Sequence, residues 1–326
     1  MTDSASKSQT DPRTHRSVPA GVRIAGRLRV PPSKSVTNRC LALALLARRP
    51  LRLDHPLDSE DTRRFAEALR SCGLTVSGLG SPSVEILPAG PLPDGADIDC
   101  GASGTMLRFL VAILTAVPGR WRLDGVPRLR ERTVGPLAEA LRRLGARIDF
   151  PQREGFAPAV IHGGSLGAGR TILDAGLSSQ FLSALLMAAL EAPGPVAVEV
   201  RSLTSGPYVD LTLEVIRAFG GEVERRGSTF VVRPSELRGG RYEVEGDYSA
   251  AGYPAAAAAL TGGEVELEGL RRDSCQGDRR FLDLLERMGA RVDWRVERRE
   301  EPGGDGSREV VRVSAGRLRA LEADLS

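Results

Sequence analysis

The chain has 326 residues, 41% hydrophobic and 27% charged, with a net charge of +3, which is ordinary for a soluble globular protein and long enough for about two domains. No basic block interleaved with aromatic residues occurs, which argues against a nucleic-acid partner, and the alanine-rich runs are too short and too closely flanked by charge to span a membrane. Cys40, Cys72, Cys100 and Cys275 show no CxxC spacing, and His15, His55 and His162 form neither HxxxH nor HExxH; the expectation is a cytoplasmic protein without disulfides, metal or cofactor.

In chain order, residues 1–20 are rich in Ser, Thr and Pro and read as a disordered tail rather than a signal peptide. The next segment contains PSKSVTNR (32–39). Of the 45 basic residues only Lys7 and Lys34 are lysines. A chain that writes almost every cation as Arg, yet keeps Lys34 between two serines, points to a site that needs a compact ammonium rather than a planar fork.

From there one pattern recurs: an amphipathic helix, a glycine, then a strand. It is seen in FAEALRSCGLTV, LAEALRRLGARIDF, TLEVIRAFGGEV and FLDLLERMGARVDW, whose glycines Gly73, Gly145, Gly220 and Gly289 are 72, 75 and 69 residues apart. Glycine suits the left-handed position that ends a helix. A more apolar helix precedes each of these, opening on small polar residues marked by Ser35, Ser103, Ser178 and Ser249, at steps of 68, 75 and 71. Strands such as GRWRLDG and GPVAVEV separate the two helices, and short strands such as PAVIHG and TFVVRP follow the second. The predicted unit is β-α-β-α-β-β, giving an α/β fold of repeated units. Helix starts carry free N–H groups and a positive dipole end, so four at one repeat position suggest a shared anion site.

Six ordered segments carry a family resemblance: PSKSVTNR (32–39), CGASGTMLRFL (100–110), PRLRERTVGPL (127–137), LSSQFLSALLMAAL (177–190), SGPYVDLTLEVIRAFGG (205–221) and VEGDYSAAGY (244–253). Through them the chain resembles the 5-enolpyruvylshikimate-3-phosphate synthases, of the enolpyruvyl transferase family. The resemblance implies an inside-out barrel of two domains and transfer of the enolpyruvyl group of phosphoenolpyruvate to the 5-hydroxyl of shikimate 3-phosphate, with release of phosphate. It further implies that Lys34 meets both substrates, that Ser35, Arg39, Ser178, Ser179, Ser205 and Tyr208 bind shikimate 3-phosphate, and that Gln180 lies between the ligands. Gly104, Thr105, Arg108 and Arg132 are implied for phosphoenolpyruvate, with Arg128 and Arg130 equally consistent with simple solvation. Asp324, in LEADLS, is aligned with the family's catalytic aspartate and would also touch shikimate 3-phosphate. Ala102 stands where the family often has Asn, so one donor to the phosphoenolpyruvate phosphate is missing.

A sister activity on a UDP-amino sugar is disfavoured because no cysteine lies between Cys100 and Cys275, where its reactive cysteine would be. The family's six repeats against little more than four here lead to the expectation of a chain shortened at its C-terminus. Residues 35–242 would form a complete domain, and residues 21–34 with 243–326 part of a second. Such a chain is expected to be inactive alone and the full-length form a monomer. A non-catalytic anion-binding remnant and an enolpyruvyl transferase with another acceptor are the competing readings.

Overall fold

Four times the chain builds a four-stranded sheet from the same parts, as a computed structural model describing residues 21–301 and 304–323 shows. β1 (Ala25–Arg29) leads into α1 (Lys34–Ala47), β2 (Leu51–Asp54), α2 (Glu60–Ser71), β3 (Leu74–Ser77) and β4 (Ser83–Pro88). The second unit comprises β5 (Gly95–Asp99), α3 (Gly104–Ile113), β6 (Gly119–Asp124), α4 (Gly135–Arg142), β7 (Arg147–Asp149) and β8 (Ala159–Gly163). The third comprises β9 (Gly169–Ala175), α5 (Ser179–Ala188), β10 (Val196–Leu203), α6 (Gly206–Ala218), β11 (Glu222–Arg226) and β12 (Thr229–Arg233). β13 (Gly240–Glu243) then leads into α7 (Tyr248–Thr261), β14 (Glu264–Glu268), α8 (Arg280–Met288), β15 (Arg291–Glu301) and β16 (Gly304–Ser314).

In the second and third units the first strand pairs parallel with the second across a helix, and in every unit the closing hairpin adds antiparallel strands, as in β5-β6-β8-β7. The turn glycines Gly73, Gly145, Gly220 and Gly289 all have positive φ, from 80° to 111°, the left-handed backbone that only glycine adopts without strain.

The first and fourth units trade their leading strands. β13 pairs parallel with β2, and β1 pairs parallel with β14. The chain therefore crosses twice between two separate hydrophobic cores, one running from Val36 to Val244, the other built from Val30 and residues from Tyr248 onward.

Amphipathicity decides which helix goes where. α2 turns Phe65, Ala66, Ala68 and Leu69 inward and leaves Glu67 exposed, while a Ser59–Thr62 capping box fixes its start. α1, α3 and α5 are apolar on nearly every side and sit in the middle of the first core, α1 burying every residue from Val36 to Leu46. A fully buried leucine such as Leu43 contributes roughly 1.5–3 kcal/mol. α7 occupies the same place in the fourth unit but buries only Tyr248, Ala251, Ala255, Ala258 and Ala259, leaving Tyr253 79% and Leu260 74% exposed.

The two crossover segments lie side by side. Ser33 N–H donates to Glu245 O at 2.8 Å, Asp247 N–H donates to Pro31 O at 2.8 Å, and Pro32 bridges Gly246. Glu245 is buried here, one carboxylate oxygen accepting from Ser274 Oγ at 2.9 Å and the other without a hydrogen-bond partner among the described residues. Burial raises its pKa. A carboxyl whose pKa is raised on folding holds its proton more tightly in the native state, so its stability contribution is complete below the ordinary carboxylate range and is lost as pH rises through the folded value. Glu245→Gln is thus expected to raise the unfolding free energy from urea titration at pH 8 by about 1–2 kcal/mol, and to change it little at pH 4.

Candidate anion-binding site

Three helix starts meet beside the crossing. Ser33 caps α1, Ser103 caps α3 and Ser178 caps α5, each side-chain oxygen accepting a backbone N–H two or three residues on. Gln180 joins the last two, its Nε2 donating to Thr105 Oγ1 at 2.9 Å and its Oε1 accepting from Arg108 Nη1 at 2.7 Å. Arg108 Nη1 also reaches Ser178 Oγ at 3.2 Å. From α1, Arg39 reaches α5 at Ser183 and α6 at Thr212. Of the sequence-predicted residues, Thr105, Arg108, Ser178 and Gln180 are thus joined and Arg39 is tied to α5 and α6, whereas Lys34 and Ser35 make no hydrogen bond or ion pair to α3 or α5 among the described residues.

The charge there is unbalanced. Arg39 is 2% exposed and Arg108 9% exposed, and no described carboxylate pairs with either. Burial, only partly opposed by Tyr208 and Cys40, lowers the pKa of Arg39 to about 10, and burial together with the nearby Arg132 lowers that of Arg108 to about 10. Arg108 Nε is buried without a hydrogen-bond partner among the described residues. Two desolvated cations beside three positive helix ends are costly unless an anion joins them.

Arg132 adds a third cation. Its guanidinium lies against the Cα of Gly104, so close that a Cβ there would stand 2.3 Å from Nη1; the glycine is needed for that approach. Arg128 and Arg130 point elsewhere, paired with Glu131 at 2.7 Å and Asp124 at 2.9 Å, so of the three arginines only Arg132 lacks a described carboxylate partner. Lys34, the first residue of α1, is half exposed with Nζ 3.6 Å from Asp61, while its backbone N–H donates to Asp247 Oδ2 at 3.3 Å.

Several expectations need adjusting. The cap of α1 is Ser33, which leaves the repeat marker Ser35 inside the first turn, half-buried, while α7 is capped by Asp247, two residues before its marker Ser249. Arg39 is not an open fork: its donors go to Thr212 Oγ1 and the Ser35 and Tyr208 carbonyls at 2.8 Å, and to Ser183 Oγ at 3.4 Å. One Nη1 hydrogen remains of its five donors. Ser179 is buried, Ser178 half-buried. Ser205 is exposed and left-handed at φ 55°, just before α6, a costly conformation for a non-glycine residue. Burial, Asp278 and Asp247 raise the pKa of half-buried Tyr208. Ala102 is exposed beside Ser103. Asp324 lies outside the described residues. Thr212 and Ser183, which hold Arg39, carried no sequence signal because buried hydroxyls in apolar helices resemble ordinary core positions.

The profile of the EPSP synthase family, 3-phosphoshikimate 1-carboxyvinyltransferase, matches residues 18–314. The chain belongs to the EPSP synthase family. It is similar to the 3-phosphoshikimate 1-carboxyvinyltransferases of Cronobacter sakazakii, at 37% identity over 319 residues, and Syntrophobacter fumaroxidans, at 42% over 307, covering 93% of this chain and 70% of each relative. Among solved structures, the EPSP synthase of Acinetobacter baumannii superposes with a TM-score of 0.75 at 28% identity, covering 90% of this chain and 65% of that one. The mixed sheets and paired cores described above are the two-domain inside-out architecture of the EPSP synthases. Among the described residues no helix is long and apolar enough to cross a membrane, and no cluster of metal-ligating side chains occurs.

Proposed function

We propose that this chain is the substrate-gripping part of an enzyme that transfers the enolpyruvyl group of phosphoenolpyruvate to the 5-hydroxyl of shikimate 3-phosphate, releasing phosphate. The observation that carries this reading is the pair of buried guanidiniums, Arg39 and Arg108, without carboxylate partners beside three helix N-termini. Such a site takes phosphate and carboxylate groups by charge-assisted hydrogen bonds. Ser178, Ser179 and Ser205 would take the 3-phosphate with Lys34 and Ser35, and Tyr208 would flank the ring. Arg108, Arg132, Gln180 and the Gly104–Thr105 backbone would take phosphoenolpyruvate, with Lys34 between the two ligands. In this reading the first core is one domain, the second core the other, and closure about the crossing brings them onto the substrates. A cytoplasmic setting is part of the proposal.

Calorimetric titration of the chain with shikimate 3-phosphate tests it. Saturable binding that weakens as salt rises is expected, and absence of heat at millimolar ligand would overturn the reading. Lys34→Arg keeps the charge but enlarges and flattens the cation. In an assembled, active enzyme it is expected to lower kcat/KM at least tenfold, about 1.4 kcal/mol, as steady-state kinetics would show.

A further inference from the structure

The crossover segments are gripped by a side chain from neither of them. Gln276, 7% exposed, comes from the loop between β14 and α8 in the second core. Its Nε2 donates to Gly246 O at 2.8 Å in one crossover, and its Oε1 accepts from Ser33 Oγ at 3.2 Å in the other. The same oxygen accepts from Tyr248 N–H, the first residue of α7, at 3.2 Å. The amide cannot be turned around, because Gly246 O only accepts and Tyr248 N–H only donates. Ser274 completes the loop's hold by bonding Glu245 Oε1 and the Gln276 N–H, at 2.9 and 3.1 Å.

Ser33 links this grip to the candidate site. By donating its hydroxyl hydrogen to Gln276 it keeps a lone pair for Val36 N–H, the cap that orders the first turn of α1. Lys34 and Ser35 lie in that turn, and Lys34 N–H is held by Asp247, which also caps α7.

We infer that Gln276 is a positioning residue. It pins the crossing of the two cores so that the start of α1, with Lys34 and Ser35, is held in register with the start of α7. The inference uses the proposed substrate reading only where ligand affinity is concerned; the geometry of the pin stands apart from it. A side chain that merely fills the crossing would affect stability without reaching α1 through Ser33.

Two measurements on the full 326-residue chain test the pin, with Gln276→Leu and Ser33→Ala singly and together. Without ligand, amide exchange at Val36 and Tyr248 in Gln276→Leu is expected to accelerate at least tenfold, while Met106 at the start of α3 keeps its wild-type rate. Unchanged Val36 exchange would overturn the inference. With shikimate 3-phosphate, each single variant is expected to raise Kd at least fivefold and the double variant no further, since both break one chain of contacts. Fully additive losses, or stability loss with unchanged Kd, would overturn it. If wild type binds no shikimate 3-phosphate, the substrate reading fails and the exchange measurement still decides the pin. If Gln276→Leu does not fold, Ser33→Ala alone must loosen Val36; otherwise the inference falls.

Discussion

Arg108→Met is expected to leave the unliganded chain at least as stable as the parent while weakening phosphoenolpyruvate binding, in the presence of shikimate 3-phosphate, at least a hundredfold. The guanidinium is buried beside Arg132 and, among the described residues, has no carboxylate partner and no partner for Nε. Exchanging it for an apolar side chain of similar length removes the desolvation cost of an uncompensated charge. What is lost is its hydrogen bonds to Ser178 and Gln180, two half-buried residues within reach of solvent, and its cation–π contact over Phe181, 5.0 Å from the ring centroid. Individually such bonds contribute about 0.5–1.5 kcal/mol net, or up to about 3 kcal/mol to a charged group, so relief and loss nearly cancel. With an anion present the balance changes: a desolvated charge facing its counter-charge is typically worth 2–5 kcal/mol, and a hundredfold in Kd is about 2.7 kcal/mol. Denaturation midpoints with and without ligand separate the two possibilities. A fall in unliganded stability of about 3 kcal/mol or more, with ligand affinity intact, would make Arg108 a strut between α3 and α5 instead.

Helix, glycine and strand recur because 3.6-residue periodicity and left-handed glycines are local properties, and local properties are written locally; Gly73, Gly145, Gly220 and Gly289 stand where the repeat puts them. The helix starts of α1, α3 and α5 were legible for the same reason. That Ser33 rather than Ser35 caps α1 was not, since the cap depends on where Pro31 and Pro32 enter from the second core. Gln276 was invisible because its partners are 243 residues away at Ser33 and 28 at Tyr248, and no periodicity spans that separation. The inward turn of Arg39 likewise depends on Thr212 and Ser183, supplied by other units.

The remaining large effect concerns turnover. We expect phosphate release from phosphoenolpyruvate and shikimate 3-phosphate by the 326-residue chain to be low, and to recover when the part of a longer relative beyond the matched residues is supplied as a second polypeptide. The reason lies in α7. Its counterparts α1, α3 and α5 bury one another at the centre of the first core, whereas α7 packs against β14, β16 and α8 and leaves Tyr253 and Leu260 in solvent. A central helix of this fold needs neighbours on its other sides, and exposed apolar residues on such a helix mark a surface built for contact. The curated relatives compared above are longer, the chain covering 70% of their length. The second core offers one central-helix N-terminus, that of α7, where the first offers three, so a docked partner would add positive helix ends around charge developing on a departing phosphate. Tyr253→Asp should block recovery by making docking costly without touching Lys34, Arg108 or Arg132. Phosphate release by the chain alone at the rate of the reconstituted pair would show that the first core and the crossing suffice for the chemistry.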